Sequence, residues 1–371
     1  MLTRATPPPT GIFAHQDGSL PVKSRLPRPT MSDIARLAGV SQSCVSLVLN
    51  EVEGARLSDA TRERVRAAAA SIGYKLQERR DSQHAAGASN RRGVIAYIVD
   101  EISISPHPVL HVDGARDAAW QAGLMLQTYV TRSNKDLEAE VLATIGHNPD
   151  LIGVIYAASY TREADLPAGL GQHPVVLLNC YTSEKRFPTI LPGEVAGGFS
   201  ATEHLIAHGH RRIGHIGGEP WMDAARDRQK GYREALATHD IAFDPALVED
   251  GDWTLTTGYE LGLRLLKLPN RPTAIFCAND VMAIGCANAA RDLDLAIPAD
   301  LSLIGYNDIE LSRHTRPPLS SCRVPNYDMG QRAVDLLVDM ALHARPPRSL
   351  LIKMECSVIG RGSVQELETA G

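Results

Sequence analysis

Aromatic residues make up only 5% of this 371-residue chain, and no apolar run approaches the roughly 18 residues needed to span a bilayer. The first 29 residues contain no apolar core followed by a small-residue cleavage site, so a secretory leader is not expected. Rich in proline and polar residues, residues 1–29 read instead as a disordered leader, or as a start assigned too far upstream. The six cysteines, Cys44, Cys180, Cys277, Cys286, Cys322 and Cys356, lack CxxC spacing. That argues against a zinc ribbon or a disulfide framework and predicts reduced packing residues in a cytoplasmic protein. No GxGxxG follows a strand-like run, "GHIGG" from Gly214 to Gly218 being a poor substitute. Walker A, nucleophile-elbow and HExxH sequences are missing as well, so dinucleotide, NTP-hydrolysing, serine-hydrolase and zinc-protease chemistries lose their usual signatures. Neither an enzyme activity nor a cofactor is expected.

What is present is an uneven charge. Met1 to Arg92 carries 14 Lys and Arg against 8 Asp and Glu, a net +6, whereas the remainder carries 24 against 35, a net −11. A basic head on an acidic body suits a nucleic-acid binder with a separate regulatory domain, because phosphate attraction is the sequence-independent part of such binding. A solvated charge imbalance explains the count equally well.

Within the basic head, "SDIARLAG" repeats Ile34, Leu37 and Ala38 at helical spacing, with Ser32 as candidate N-cap and Gly39 past the end. "SQSCVSLVLN" then predicts a second helix, with Val45, Val48 and Leu49 on one stripe and Ser43, Ser46, Leu47 and Asn50 facing outward. A third helix starts from Ser58, burying Val65, Ala68, Ala69 and Ile72 and leaving Arg62, Arg64 and Arg66 near solvent. Two short helices joined by "GVS" make a helix-turn-helix, whose second helix enters the major groove. Spacing alone leaves open a small helical subdomain that binds no DNA.

The wording of this stretch is more specific than its spacing. "MSDIARLAGVSQSCVSLVLN" followed by "LSDATRERVRAAAASIGYK" resembles, from Thr30 to about Lys75, the headpiece of the lactose-repressor (LacI) family of bacterial transcriptional regulators. The resemblance implies that Gln42, Ser43 and Leu47 read base edges, while Ser32, Ser41, Ser46 and Asn50 hold phosphates and the helix. Family members commonly have arginine where Leu47 stands; leucine offers apolar contact in place of a bidentate bond to guanine. The linker "GYKLQERRDSQHAAGASNRR" also departs from the family pattern, lacking Pro-Asn and placing Gln83 near the position of the leucine that wedges into the minor groove. Arg79 and Arg80 are candidates for phosphate contact, or belong to a flexible polar linker.

From Gly93 onward, apolar strand-like runs alternate with helical segments in two series, which predicts two doubly wound parallel-sheet subdomains with ligand at the carboxyl ends of the strands. "HLIAHGHRRIGHIGG", "AARDRQKGYREAL", "PTAIFCANDVMAIG" and "LSLIGYNDIE" resemble the periplasmic-binding-protein-like body of the same family. The expected architecture is therefore an all-α helix-turn-helix headpiece at 30–76, a linker at 77–92 and an α/β effector domain at 93–362, with a tail at 363–371. One subdomain takes 93–191 and 322–344 and the other 192–321 and 345–362, crossing near Pro192, Ser321 and Arg345. His204 and His208, at i and i+4, have no acidic or cysteine partner at a ligand spacing and read as structural.

By the same resemblance, the effector-binding candidates are Asn179, Arg228, Trp253, Asn279 and Asn307. Arg228 suits a fork onto ligand hydroxyls, or a surface pair with Asp227 or Glu234. Trp253 suits stacking on a sugar, or plain packing; Asn179 and Asn279 suit hydroxyl contacts, or helix caps. Asp280 reads as a cap rather than a contact, and Asn307 replaces an aspartate common in relatives. Amides, one arginine and one indole fit a neutral polyol; a phosphorylated sugar would want a second cation and a purine more aromatics, and both alternatives stay open. The family implies a homodimer or tetramer on double-stranded operator DNA, with Met329, Val334, Leu337 and Met340 as a candidate interface on one helix, or core. A periplasmic sugar-binding protein would lack the basic head, and a Rossmann-type enzyme would need the missing phosphate loop.

Overall fold

The computed structural model describes residues 31–49, 57–72, 93–103, 106–343 and 350–367. Asn50, the leader at 1–29 and the linker with Arg79, Arg80 and Gln83 lie outside the described residues.

Among the described residues three helices form the first unit: α1 (Met31–Ala38), α2 (Gln42–Leu49) and α3 (Asp59–Ser71). Gly39, at φ +65°, ends α1 in the left-handed region that favours glycine. Ser41 Oγ accepts from the Cys44 backbone N at 3.2 Å, and Ser58 Oγ accepts from Thr61 N at 3.2 Å, so each later helix starts on a serine that satisfies an orphan N–H. The core consists of Met31, Ile34, Ala35 and Ala38 of α1, Val45 and Val48 of α2, and Val65, Ala68 and Ala69 of α3. The stripe on α1 thus runs i, i+3, i+4, i+7 from Met31, which turns Leu37 outward at 52% exposure and corrects its expected burial. Because α1 begins at Met31, Ser32 lies in its first turn rather than ahead of it.

The second unit contains two six-stranded sheets. The first runs β11 (Leu351–Met354), β5 (Thr189–Pro192), β4 (Val175–Tyr181), β3 (Leu151–Glu163), β1 (Val94–Val99) and β2 (Met125–Val130), with every neighbouring pair parallel. The second runs β12 (Ser357–Ile359), β10 (Ser320–Arg323), β9 (Ser302–Tyr306), β8 (Ala274–Cys277), β6 (Ile213–Gly217) and β7 (Val248–Asp250), parallel except where β12 opposes β10. Both faces of the central strands are covered, which is why β1, β4, β8 and β9 read as continuous apolar runs, whereas the edge strand β2 is largely exposed. In β1, Ile95, Tyr97 and Val99 join one buried cluster while Ala96 and Ile98 join another on the opposite face.

Among the described residues seven helices cover the sheets: α4 (Pro106–Gln121), α5 (Lys135–Gly146), α6 (Glu194–Ala207), α7 (Asp223–Thr238), α8 (Leu255–Leu266), α9 (Asp280–Asp292) and α10 (Asn326–His343). Three pairs of them cross on glycines. A Cβ at Gly198 of α6 would fall 2.3 Å from Arg228 O, and one at Gly231 of α7 would fall 2.1 Å from Val195 O. Gly258 and Gly285 do the same for α8 and α9, as do Gly114 and Gly330 for α4 and α10. On α10, Met329, Val334 and Leu337 are buried in the core and Met340 packs against it, so this stripe is committed internally and does not supply the expected interface.

The chain crosses between sheets after Pro192, between Arg323 and Asn326, and between Met354 and Ser357. The third crossing lies later than Arg345: β11 pairs in parallel with β5, Met354 opposite Pro192, which places it in the first subdomain. The tail also differs from expectation, since Ser363 is buried and its Oγ donates to Leu303 O at 2.6 Å and accepts from Ser320 N at 2.8 Å. Leu367 N donates to His208 O at 2.8 Å, so residues through 367 extend the second subdomain. Polar bonds to backbone edges hold this tail, and they leave no apolar periodicity to read.

Candidate functional site

On α2, Val45 and Val48 fasten the helix inward while Gln42, Ser46 and Leu47 are half-buried on its remaining surface. Ser32 and Ser43 are placed by backbone only, on α1 and α2. Ser41 caps α2 through the bond to Cys44 N, the helix-holding role expected of it. Burial pushes the Cys44 thiol pKa up, opposed by the charges of Arg64 and Arg62, so the α3 arginines bring positive potential to the side of α2.

In the second unit, Arg228 is buried at 6% exposure and forks onto Glu194, itself 4% exposed: Nε to Oε2 and Nη2 to Oε1, both at 2.8 Å. Its Nη1 donates to Ala278 O at 2.5 Å, and its guanidinium carbon lies 3.9 Å from the Tyr306 ring centroid and 5.7 Å from that of Trp253. The expected alternative of a surface pair with Asp227 or Glu234 is replaced by a buried pair with a residue at the first crossing. Burial works against the guanidinium charge, and the Glu194 carboxylate outweighs it, so the net direction of the Arg228 pKa is upward. His107 is held down to about 4, by burial first and by the Arg228 charge second, and is neutral at pH 7. It bonds Asn326 at 2.8 Å, beside the second crossing.

Asn279 is the N-cap of α9: its Oδ1 accepts from Met282 N at 2.7 Å and its Nδ2 donates to Trp253 O at 2.9 Å. Trp253, at φ +71°, covers Gly218, where a Cβ would fall 2.0 Å from the indole, and donates its Nε1 to Met222 Sδ at 2.9 Å. Arg228, Trp253 and Asn279 therefore meet, with Asn279 also serving as the helix cap. Asn307, at φ +101°, directly follows Tyr306, and its Oδ1 is buried without a hydrogen-bond partner among the described residues. Asn179 stands on the other subdomain, where β3 carries extra residues between Ala157 and Arg162 relative to β4. Its Nδ2 donates to Ala158 O at 3.1 Å and its Oδ1 accepts from Thr161 Oγ1 at 2.6 Å, so the amide stitches that bulge. Asp280 is not a helix cap: it accepts from Ile309 N at 2.8 Å, Ser312 Oγ at 2.7 Å and Ser321 Oγ at 2.6 Å, fixing the loop after β9.

Sequence reasoning missed the residues that face one another across the two subdomains. Tyr181 of β4 donates to Asp223 Oδ2 of α7 at 2.8 Å, and the Tyr160 and Trp221 rings meet edge-on at 5.8 Å. A cavity of about 340 Å³ lies beside this bridge, lined by Thr161, Tyr181, Asp223 and Asp227 with Lys185 and Lys353. Asp100, at the end of β1, holds Ser159 N at 2.8 Å and Arg162 Nη2 at 3.0 Å. Only the strand-end rule could have pointed to these positions, and it does not say which side chains project. His208 turns its Nδ1 back onto His204 O at 2.7 Å, and no group of three or more His, Cys, Asp or Glu suited to a metal ion occurs among the described residues. None of the six cysteines forms a disulfide, and no helix among the described residues is long and apolar enough to cross a membrane.

The sequence pattern described as "Bacterial regulatory proteins, lacI family" matches residues 30–77, and that of a "Periplasmic binding protein-like domain" matches residues 202–364. The chain is 33% identical over 344 residues to the HTH-type transcriptional repressor CytR of Escherichia coli (strain K12), covering 91% of this chain and 97% of that protein. It is 32% identical over 331 residues to the ribose operon repressor of Haemophilus influenzae, covering 88% and 96%. Among solved structures it is similar to the lac repressor dimer bound to operator and the anti-inducer ONPF (TM-score 0.63, 26% identity, 91% of this chain and 100% of that one). It is also similar to a complex of the transcriptional regulator CelR with cellobiose (TM-score 0.60, 28% identity, 91% and 100%).

Proposed function

Because the chain belongs to the lacI family of bacterial regulatory proteins and is a DNA-binding transcriptional repressor rather than an enzyme, we propose that a small effector, a sugar, controls its operator binding from the cleft of the second unit. The observation that carries this reading is the meeting of Arg228 of α7 with Trp253 and Asn279, which follow the ends of β7 and β8 in one subdomain, with Tyr181–Asp223 and Tyr160–Trp221 bridging to the other. An effector that binds one relative placement of the subdomains better than another shifts their equilibrium by that difference in affinity. The Trp253 face, the two Arg228 N–H groups that hold no bond among the described residues and the unpartnered Asn307 Oδ1 are the contacts offered. The cellobiose complex of a structural relative supports a carbohydrate.

On the DNA side, Gln42, Ser43 and Leu47 read bases, and Ser32, Ser41, Ser46 and Asn50 hold phosphates. The functional species is a cytoplasmic homodimer on a pseudo-palindromic operator, a reading supported by the lac repressor dimer on its operator. Thermal shift against a panel of mono- and oligosaccharides, paired with gel shifts on the DNA upstream of its own gene, tests the whole reading. One sugar should stabilise the protein and change the gel shift, and Arg228→Ala or Trp253→Ala should abolish both effects. Operator selection with the native protein and Leu47→Arg tests the recognition helix: the variant should favour guanine at one position of each half-site, and identical selected half-sites would remove Leu47 from base reading.

A further inference from the structure

We infer that Glu194 is a specificity-determining residue of the effector cleft, which it restricts to uncharged ligands by neutralising Arg228. This inference rests on the effector reading above and names the ligand's charge.

The Arg228 guanidinium lies 5.7 Å from the Trp253 ring centroid, and a buried guanidinium is the natural partner of a phosphate or carboxylate. Here that partnership is already filled. Glu194 takes the Nε and Nη2 edge in a bidentate fork of two 2.8 Å bonds, the geometry that an anionic ligand would otherwise adopt. The face of the guanidinium is taken by Tyr306 at 3.9 Å, and Nη1 is tied to Ala278 O. What remains for a ligand is two N–H donors of a pair whose net charge is zero. A phosphate approaching them would meet the Glu194 carboxylate across the same guanidinium, with both partners almost wholly removed from water, where repulsion is weakly screened.

The arginines of the second unit that lie near its strand ends are held by carboxylates as well, although Asp308 takes two of them. Asp100 pairs with Arg162, Asp308 with Arg361 and Arg313, and Asp223 with Arg226. The cavity beside the bridge carries Asp223 and Asp227 against Lys185 and Lys353. The position of Glu194 adds a second consequence. It is the first residue of α6, two residues after the first crossing strand ends at Pro192, so the carboxylate that sets the charge of the site also sits at the hinge.

The experiment compares wild type, Glu194→Gln and Glu194→Asp. Each is heated in chloride and in inorganic phosphate at matched ionic strength, where general salting effects and phosphate binding to the headpiece are common to all three. Phosphate should raise the melting temperature of Glu194→Gln by several degrees more than that of wild type, and Glu194→Asp, which keeps the charge, should follow wild type. Equal phosphate responses in all three would overturn the inference. Wild type is also titrated with glucose and glucose 6-phosphate and with ribose and ribose 5-phosphate, which needs no variant to fold. A neutral sugar that binds should do so at least tenfold more tightly than its phosphate, and a preference for the phosphate overturns the inference. If no carbohydrate of any kind binds, the effector reading fails, while the inorganic phosphate comparison still decides the role of Glu194.

Discussion

Arg228 and Glu194 show how one buried pair ties a ligand site to a hinge. Removing either partner leaves an unpaired charge at a position with almost no access to water, which costs roughly 3–5 kcal/mol. Glu194→Ala and Arg228→Ala should each lower stability by about that much in denaturant titrations, and the double variant should lose far less than the sum of the two. An additive double variant would mean that the pair is not a unit. Asp280 supplies a pH dependence of its own. Burial raises its carboxyl pKa from 3.8 to about 6, against the bonds from Ser321, Ser312 and Ile309. A carboxyl whose folded value lies above its unfolded value favours the folded state in its protonated form, so its contribution is full below 3.8 and is lost as pH rises through about 6. Asp280→Asn should therefore abolish a fall in stability, on the order of 3 kcal/mol, that wild type shows across that window in denaturant midpoints. The same fall in both proteins would refute the assignment.

Among the elements, the α6–α7 crossing carries the most consequence for the site, because Glu194 opens one helix and Arg228 lies in the middle of the other. Their approach depends on Gly198 and Gly231, where the backbone of each helix occupies the space of the other's missing Cβ. Gly231→Ala has only backbone atoms to push against, at 2.1 Å from Val195 O and 2.5 Å from Phe199 N. It should destabilise the body by about 1–3 kcal/mol through overpacking, against the small gain that alanine brings to an open helix, and should weaken effector binding by separating the pair. Urea unfolding and the sugar titration measure the two effects, and a stabilised variant would show that the helices can move apart freely. The amphipathic pattern of α6 and α7 is legible as helices, but a glycine at a helix crossing and a glycine of no importance look alike in the chain. Leu37 shows a similar limit: it is apolar and near the right phase, yet the stripe of Met31, Ile34, Ala35 and Ala38 fills the inward face and leaves it in solvent.

For the molecule as a whole, the +6 of residues 1–92 against the −11 of the rest predicts how it meets DNA. Operator affinity should fall steeply with salt, by a slope of about −0.9 per phosphate neutralised, while effector affinity for an uncharged ligand should barely change. Gel shifts and sugar titrations at several salt concentrations measure both, and salt-independent DNA binding would contradict the role given to the basic head. By itself the sequence determined the three-helix head and the two parallel-dominated sheets, because hydrophobic period, capping serines and strand-ending asparagines are local signals that repeat along the chain, and the resemblance of its stretches pointed to the family. It also singled out Arg228, Trp253 and Asn279 as site candidates, through the family resemblance. Only the tertiary structure decided that Arg228 belongs to Glu194, that Asn179 is spent on a bulge and that Asp280 anchors a loop. It alone put β11 in the first sheet, ahead of the third crossing. Those outcomes depend on which of several equally suited polar groups arrives within 3 Å of another, and such distances are set by packing between segments far apart in the chain.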